Sequence, residues 1–130
     1  MSYQPSAGAV VFAKDLPRVA KFYEELLSMA VVHSEPDHVV LESAAFQLVI
    51  HAIPKRIAAS IKIGTPPARR TETPIKLFFL VASIAEARAK AATLGGELNP
   101  ESGVWEARGF RACDGHDPEG NVLQLRENAL

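Results

Sequence analysis

The apolar positions change period along the chain, and each change marks an element. Val10-Val11-Phe12-Ala13 is an apolar run of strand length, closed by Lys14-Asp15. From Leu16 the apolar residues recur at helical spacing, through Val19, Ala20, Tyr23, Leu26 and Leu27, with Asp15 at the N-cap position. Three strand-like segments follow: Ala30 to Ser34, His38 to Glu42, and Phe46 to Ile53. Pro36-Asp37 and Ser43-Ala44 supply the turns between them.

The same order returns later. A shift of 68 positions sets Val10 to Asp15 on Phe78-Phe79-Leu80-Val81-Ala82-Ser83. Ile84, Ala87, Ala91 and Leu94 then repeat at helical spacing. Ser83 and Glu86 form a capping-box pattern, which offers partners to the free N–H groups of the first turn. Gly95-Gly96 stops the helix, because glycine accepts the left-handed conformation a helix end often needs. Strands are predicted at Glu97 to Asn99, Phe110 to Asp114 and Asn121 to Arg126, with a longer link containing Trp105. Each half therefore reads strand, helix, strand, strand, strand. Neither half buries both faces of its sheet alone, whereas two copies share a core.

Pro54 to Pro74 separates the halves and carries Lys55, Arg56, Lys62, Arg69 and Arg70 against one acid, Glu72. So long a connection is either a solvated linker with a short helix or strand at Ile57 to Ile63, or a lid or dimer contact. We expect one domain over 1–130, with module 1 at about 7–54, the linker at 55–74 and module 2 at about 75–128.

Charge and composition narrow the function. A formal net charge of -1 argues against electrostatic binding of nucleic acid. The longest clear apolar run, Leu77 to Ala82, is strand-sized, so no membrane partner is expected. The start, MSYQPSAGAVV, lacks the basic region of a signal peptide. A single cysteine, Cys113, forms no internal disulfide; a cytoplasmic, reducing location and an inert buried thiol are expected.

FYEELLSM at the end of the first helix and DPEGNVLQL at the end of the second half carry a family likeness. With the repeated unit, they make the chain resemble the vicinal oxygen chelate superfamily: glyoxalase I, extradiol dioxygenases, and the bleomycin and fosfomycin resistance proteins. The likeness runs from about Ala9 to Arg126. Ser28 departs from it, since the family usually has glycine at that helix end. The resemblance implies an α+β fold of two βαβββ modules, an incompletely closed eight-stranded sheet around a cleft with the helices outside. It also implies a homodimer.

Within DGHDPEGNVLQL, Asp114, His116 and Asp117 admit two readings. One is a metal site. The other is turn chemistry, with Pro118 fixing one backbone angle, Gly120 taking a positive one, and Asp117 and Asn121 bonding back to the main chain. We adopt the turn. Metal-using members of the family hold their ion with four side chains, from the first and last strands of each module. Carried over place by place, these positions are Gly8, Val49, Lys76 and Gln124. Glycine and valine offer no donor and an ammonium repels a cation, so no metal and no other cofactor is expected. His51, two residues past Val49, adds one further donor on the same strand face.

Strand alternation then assigns the cleft. If Leu123 and Leu125 pack under a helix, Gln124 and Arg126 face inward. Phe12, Gln47, Val49, His51, Lys76 and Phe78 join them, with Trp105 and Phe110 nearby. An apolar hollow with a few polar heads suits a small molecule, here an aromatic or amphipathic one. We assign no catalytic residue. The expected function is metal-free binding, sequestering or sensing of such a ligand. The alternative is a metal-dependent lyase, isomerase or dioxygenase acting on a small oxygenated substrate.

Overall fold

The computed structural model describes residues 5–129. The chain divides into two compact units, Met1–Lys62 and Ile63–Leu130.

The first unit holds strand β1 (Gly8–Ala13), helix α1 (Leu16–Leu27), strands β2 (Ala30–Glu35), β3 (His38–Glu42) and β4 (Gln47–Ala52), and a short helix α2 (Lys55–Ala58). Its sheet runs β1-β4-β3-β2, with β1 parallel to β4 and the other pairs antiparallel. The Asp15 side chain caps α1 by accepting from Arg18 N at 3.2 Å. Leu16, Val19, Ala20, Phe22, Tyr23 and Leu26 are buried on α1. Leu41, Leu48 and Ile50, all fully buried, supply the sheet side of that core. Fully burying each such side chain is worth about 1.5–3 kcal/mol. Ser28 ends the helix at φ 52°, ψ 42°, so this non-glycine residue occupies the left-handed region that glycine usually fills.

The second unit holds strand β5 (Leu77–Leu80), helix α3 (Ile84–Thr93) and strands β6 (Glu97–Leu98), β7 (Trp105–Ala107), β8 (Phe110–His116) and β9 (Val122–Asn128). The order is β5-β9-β8-β6, and β7 also pairs with β8. Together the described residues form a sheet of four strands and a sheet of five, with no closed barrel. The α+β reading with two strand–helix–three-strand modules therefore holds. The extra strand is β7, where the sequence suggested only a link. It forms because Trp105 to Ala107 pairs antiparallel with Phe110 to Ala112 across a turn in which Gly109 has φ 85°.

Ser83 accepts from Glu86 N at 3.1 Å, as the capping pattern predicts. A second free donor, Ile84 N, is satisfied from β9 by Glu127 Oε1 at 2.7 Å. Gly95 takes φ 91° at the helix end, and Gly96 N donates to Ala91 O.

Two sequence expectations need correction. The short helix in the linker is Lys55–Ala58, earlier than Ile57 to Ile63. Asp114 and His116 are not turn residues: both lie on β8, because that strand runs on to His116 before the chain turns. The turn is built on Asp117. Its Oδ1 accepts from Glu119 N at 2.8 Å and Asn121 N at 3.1 Å, and its Oδ2 accepts from Asn121 Nδ2 at 2.8 Å. Gly120 has φ 84° there, as the turn requires.

The later part of the linker lies on this turn. Arg70 N donates to Gly120 O at 2.8 Å, and Arg70 Nε to Glu119 O at 3.2 Å. A Cβ on Gly120 would meet Ala68 O at 2.0 Å, so the two backbones approach as only glycine allows. Asp117, Pro118, Glu119 and Gly120 are buried, which is unusual for a hairpin tip.

Candidate functional site

Each sheet turns alternate residues away from its helix, and the predicted site residues fall there in two groups. In the first unit β1–β4–β3 pairing sets Val10 beside Val49 and Val40, and Phe12 beside His51 and His38. Phe12 is 58% exposed, and its ring centroid lies 5.7 Å from that of His51. Gln47 Nε2 donates to Glu42 Oε2 at 2.8 Å across the same face.

In the second unit β5–β9–β8 pairing sets Phe78 beside Gln124 and Asp114, and Leu80 beside Arg126 and Ala112. Leu123 and Leu125 on the opposite face are buried, as the alternation requires. Trp105 pairs with Ala112 and so shares the face of Arg126, and its ring meets Phe110 edge-on at 6.0 Å. Phe78, Leu80 and Trp105 are exposed. Cys113 is fully buried on the other face, with its Sγ donating to Asn99 O at 3.2 Å.

A polar row crosses this second face. Lys76 Nζ donates to Asp114 Oδ2 at 2.9 Å. Gln124 Nε2 donates to Asp114 Oδ1 at 3.1 Å, and Gln124 Oε1 accepts from Arg126 Nε at 2.7 Å. The Arg126 guanidinium carbon stands 3.6 Å from the centroid of Phe78 and 4.3 Å from that of Phe110. Arg126 is thus held by one nitrogen and two aromatic rings. Its two terminal nitrogens have no hydrogen-bond partner among the described residues.

Asp114 was missed as a site residue because it was assigned to the turn. The signal was present: a hairpin closed by Asp117 to Asn121 places Asp114 opposite Gln124.

His116 belongs to the buried end of β8. Arg69 Nε donates to its Nδ1 at 2.9 Å, and Arg69 Nη1 donates to Asn99 Oδ1 at 2.7 Å. Burial, then the Arg69 guanidinium, push the imidazole below its ordinary range. The native state therefore favours neutral His116, and the unfolded chain binds more protons in the window just below the ordinary value of 6.5. This stability is fully present above that value and is lost as pH falls toward the lower native value. Urea unfolding from about pH 7.5 to about pH 5.5 should show a steeper loss for the wild type than for His116→Asn, whose amide oxygen accepts from Arg69 without titrating. Equal slopes would mean His116 is not the group responsible.

The four places that the family resemblance assigns to a metal fall two in each unit, Gly8 and Val49 in the first and Lys76 and Gln124 in the second. Gly8 and Val49 have no side-chain donor. A Cβ on Gly8 would lie 2.4 Å from the Gln47 carbonyl oxygen, so a larger residue is blocked there by backbone. Lys76 brings a positive charge, and the one ligand-capable oxygen of Gln124 is engaged by Arg126.

Comparison with known proteins agrees with this architecture. The family profile of the glyoxalase-like domain matches residues 8–126. The chain belongs to that family. Among curated proteins, none matches it by sequence. Solved structures extend the likeness of the glyoxalase-like chain. A glyoxalase/bleomycin resistance protein/dioxygenase family enzyme from Burkholderia phytofirmans is 15% identical, with a TM-score of 0.69 over 96% of this chain and 99% of that one. A glyoxalase-related enzyme from Fulvimarina pelagi is 18% identical, with a TM-score of 0.67 over 97% and 89%. The fosfomycin resistance protein FosX from Listeria monocytogenes is 17% identical, with a TM-score of 0.65 over 100% and 97%. At these identities the likeness is one of fold. Among the described residues no helix of the glyoxalase-like chain is long and apolar enough to cross a membrane.

Proposed function

We propose that this chain binds a small flat anion with an aromatic body, without a metal at the family's four places, and sequesters or senses it. The observation that carries the reading is Arg126. Phe78, Phe110 and Gln124 hold the guanidinium in one orientation, so its remaining donors are pre-organised and a ligand anion loses little on ordering them. Exposed Phe78, Leu80 and Trp105 offer apolar area beside that charge. The enzyme reading needs metal ligands at the family's places, and within each unit they are scarce: Gly8 and Val49 offer no side-chain donor in the first, and Lys76 is a cation in the second. A cytoplasmic homodimer with no nucleic-acid or membrane partner belongs to the same reading.

The test is a thermal-shift panel of aromatic carboxylates and sulfonates against their uncharged analogues. A ligand that binds the native state raises the melting temperature by mass action. Shifts are expected for anions with aromatic bodies and should be lost in Arg126→Met. Shifts equally large for the uncharged analogues would remove Arg126 from the account. No shift with any compound would remove the binding function.

A further inference from the structure

We infer that the first unit carries a site for a divalent transition metal, formed by Asp37, His38 and His51, apart from the places the family uses. Asp37 lies in the turn before β3, His38 opens that strand, and His51 is its direct partner on β4. One ligand-capable atom from each residue converges so that all lie within 4.8 Å of one another. Four-coordinate zinc, with bonds of about 2.0–2.1 Å, needs its ligands roughly 3.3 Å apart. His38 Nδ1 lies 2.8 Å from Asp37 Oδ1 and His51 Nε2 lies 4.0 Å from Asp37 Oδ2, so the two imidazoles reach the two oxygens of one carboxylate.

Three features make this a built arrangement. The Asp37 backbone is tied to the end of β4, where Ala52 N donates to Asp37 O at 2.8 Å. His51 Nδ1 lies 2.9 Å from the Ala52 carbonyl oxygen, which can only accept, so Nδ1 carries the proton and the lone pair is on Nε2, toward Asp37. The rings of His38 and His51 stack at 5.7 Å, with their planes 10° apart, which holds the two imidazoles side by side. His38 Nδ1 now donates to Asp37 Oδ1, and a metal ion would replace that proton. Two imidazoles and a carboxylate suit Zn(II), Co(II), Ni(II) or Fe(II) and disfavour Ca(II) and Mg(II). Three protein ligands leave a coordination position open to water or a small anion.

The test uses tag-free full-length protein, stripped of metal and titrated with Zn(II) by calorimetry and with Co(II) by visible absorption. One equivalent is expected, with the ligand-field bands of a four-coordinate Co(II) complex. Since even outer-shell partners are worth about 10–100-fold in affinity, His38→Ala and His51→Ala should each weaken binding by about 100-fold. Asp37→Asn keeps the turn and should weaken it by at least about tenfold. Far-ultraviolet circular dichroism checks that the variants fold, and Asp37→Asn, nearly isosteric, keeps the test decisive if either alanine variant does not. His116→Asn and Gln124→Ala, both in the second unit, should leave binding unchanged. Absence of binding, binding that survives loss of both histidines, or equal loss in His116→Asn or Gln124→Ala would overturn the site. None of these results depends on Arg126 or on an organic ligand.

Discussion

Asp117→Ala is expected to lower the unfolding free energy by about 3 kcal/mol or more, since it strands three donors, each costing about 1–3 kcal/mol when left unsatisfied. The carboxylate is fully buried, and its partners Glu119 N, Asn121 N and Asn121 Nδ2 belong to the same turn. Alanine leaves those groups with no acceptor and little water. The damage should spread to the linker, because Arg70 docks on Gly120 O and Glu119 O only while the turn keeps its shape. Domains of this size are stable by only about 5–15 kcal/mol, so the variant should lie close to its unfolding threshold. Equilibrium urea unfolding measures the loss. Asp117→Asn keeps an acceptor oxygen and should fall between the two. A change in Asp117→Ala below about 1 kcal/mol would be that of an ordinary surface turn, and the buried-turn account would fail.

Arg126→Met is expected to weaken binding of an aromatic sulfonate such as 8-anilinonaphthalene-1-sulfonate by about 10–100-fold. That corresponds to about 1.5–3 kcal/mol for hydrogen bonds to a charged group, at 1.4 kcal/mol per decade. Methionine keeps much of the apolar stem between Phe78 and Phe110 and removes only the charge and its planar donors. Arg126→Lys should recover part of the affinity, because a lysine keeps the charge but loses the fork geometry and the stacked contact. Fluorescence titration reports both variants. Uncharged 1-anilinonaphthalene is the control and should bind wild type and Arg126→Met alike. If the sulfonate binds Arg126→Met as tightly as wild type, the face is a general apolar surface and the anionic class is wrong.

The two predictions draw on different parts of the second unit. The Asp117 turn is a matter of stability, buried and closed by the linker. The Arg126 face is open, with Phe78 and Trp105 exposed, and its guanidinium is held by the faces of Phe78 and half-buried Phe110 and by Gln124. A substitution in the turn should therefore alter the melting temperature before it alters affinity, and one at Arg126 should do the reverse.

The chain's periodicity was enough to define α1 and α3, and their caps at Asp15 and Ser83, because these depend on residues within a few positions of each other. Alternation was enough to separate Leu123 and Leu125 from Gln124 and Arg126, because strand neighbours always point to opposite faces. The Asp-Pro-Glu-Gly-Asn turn was legible for the same local reason. Tertiary structure alone decided who meets whom. Lys76 reaches Asp114 because β5 lies parallel to β9 and β9 pairs with β8, a relation between residues far apart in sequence. His38 lies against His51 through the β3–β4 register, and Arg69 meets His116 because the linker folds back over the turn. Hydrophobic pattern states which face a residue takes. It does not state which distant residue shares that face, since the register between strands is set by packing of the whole unit.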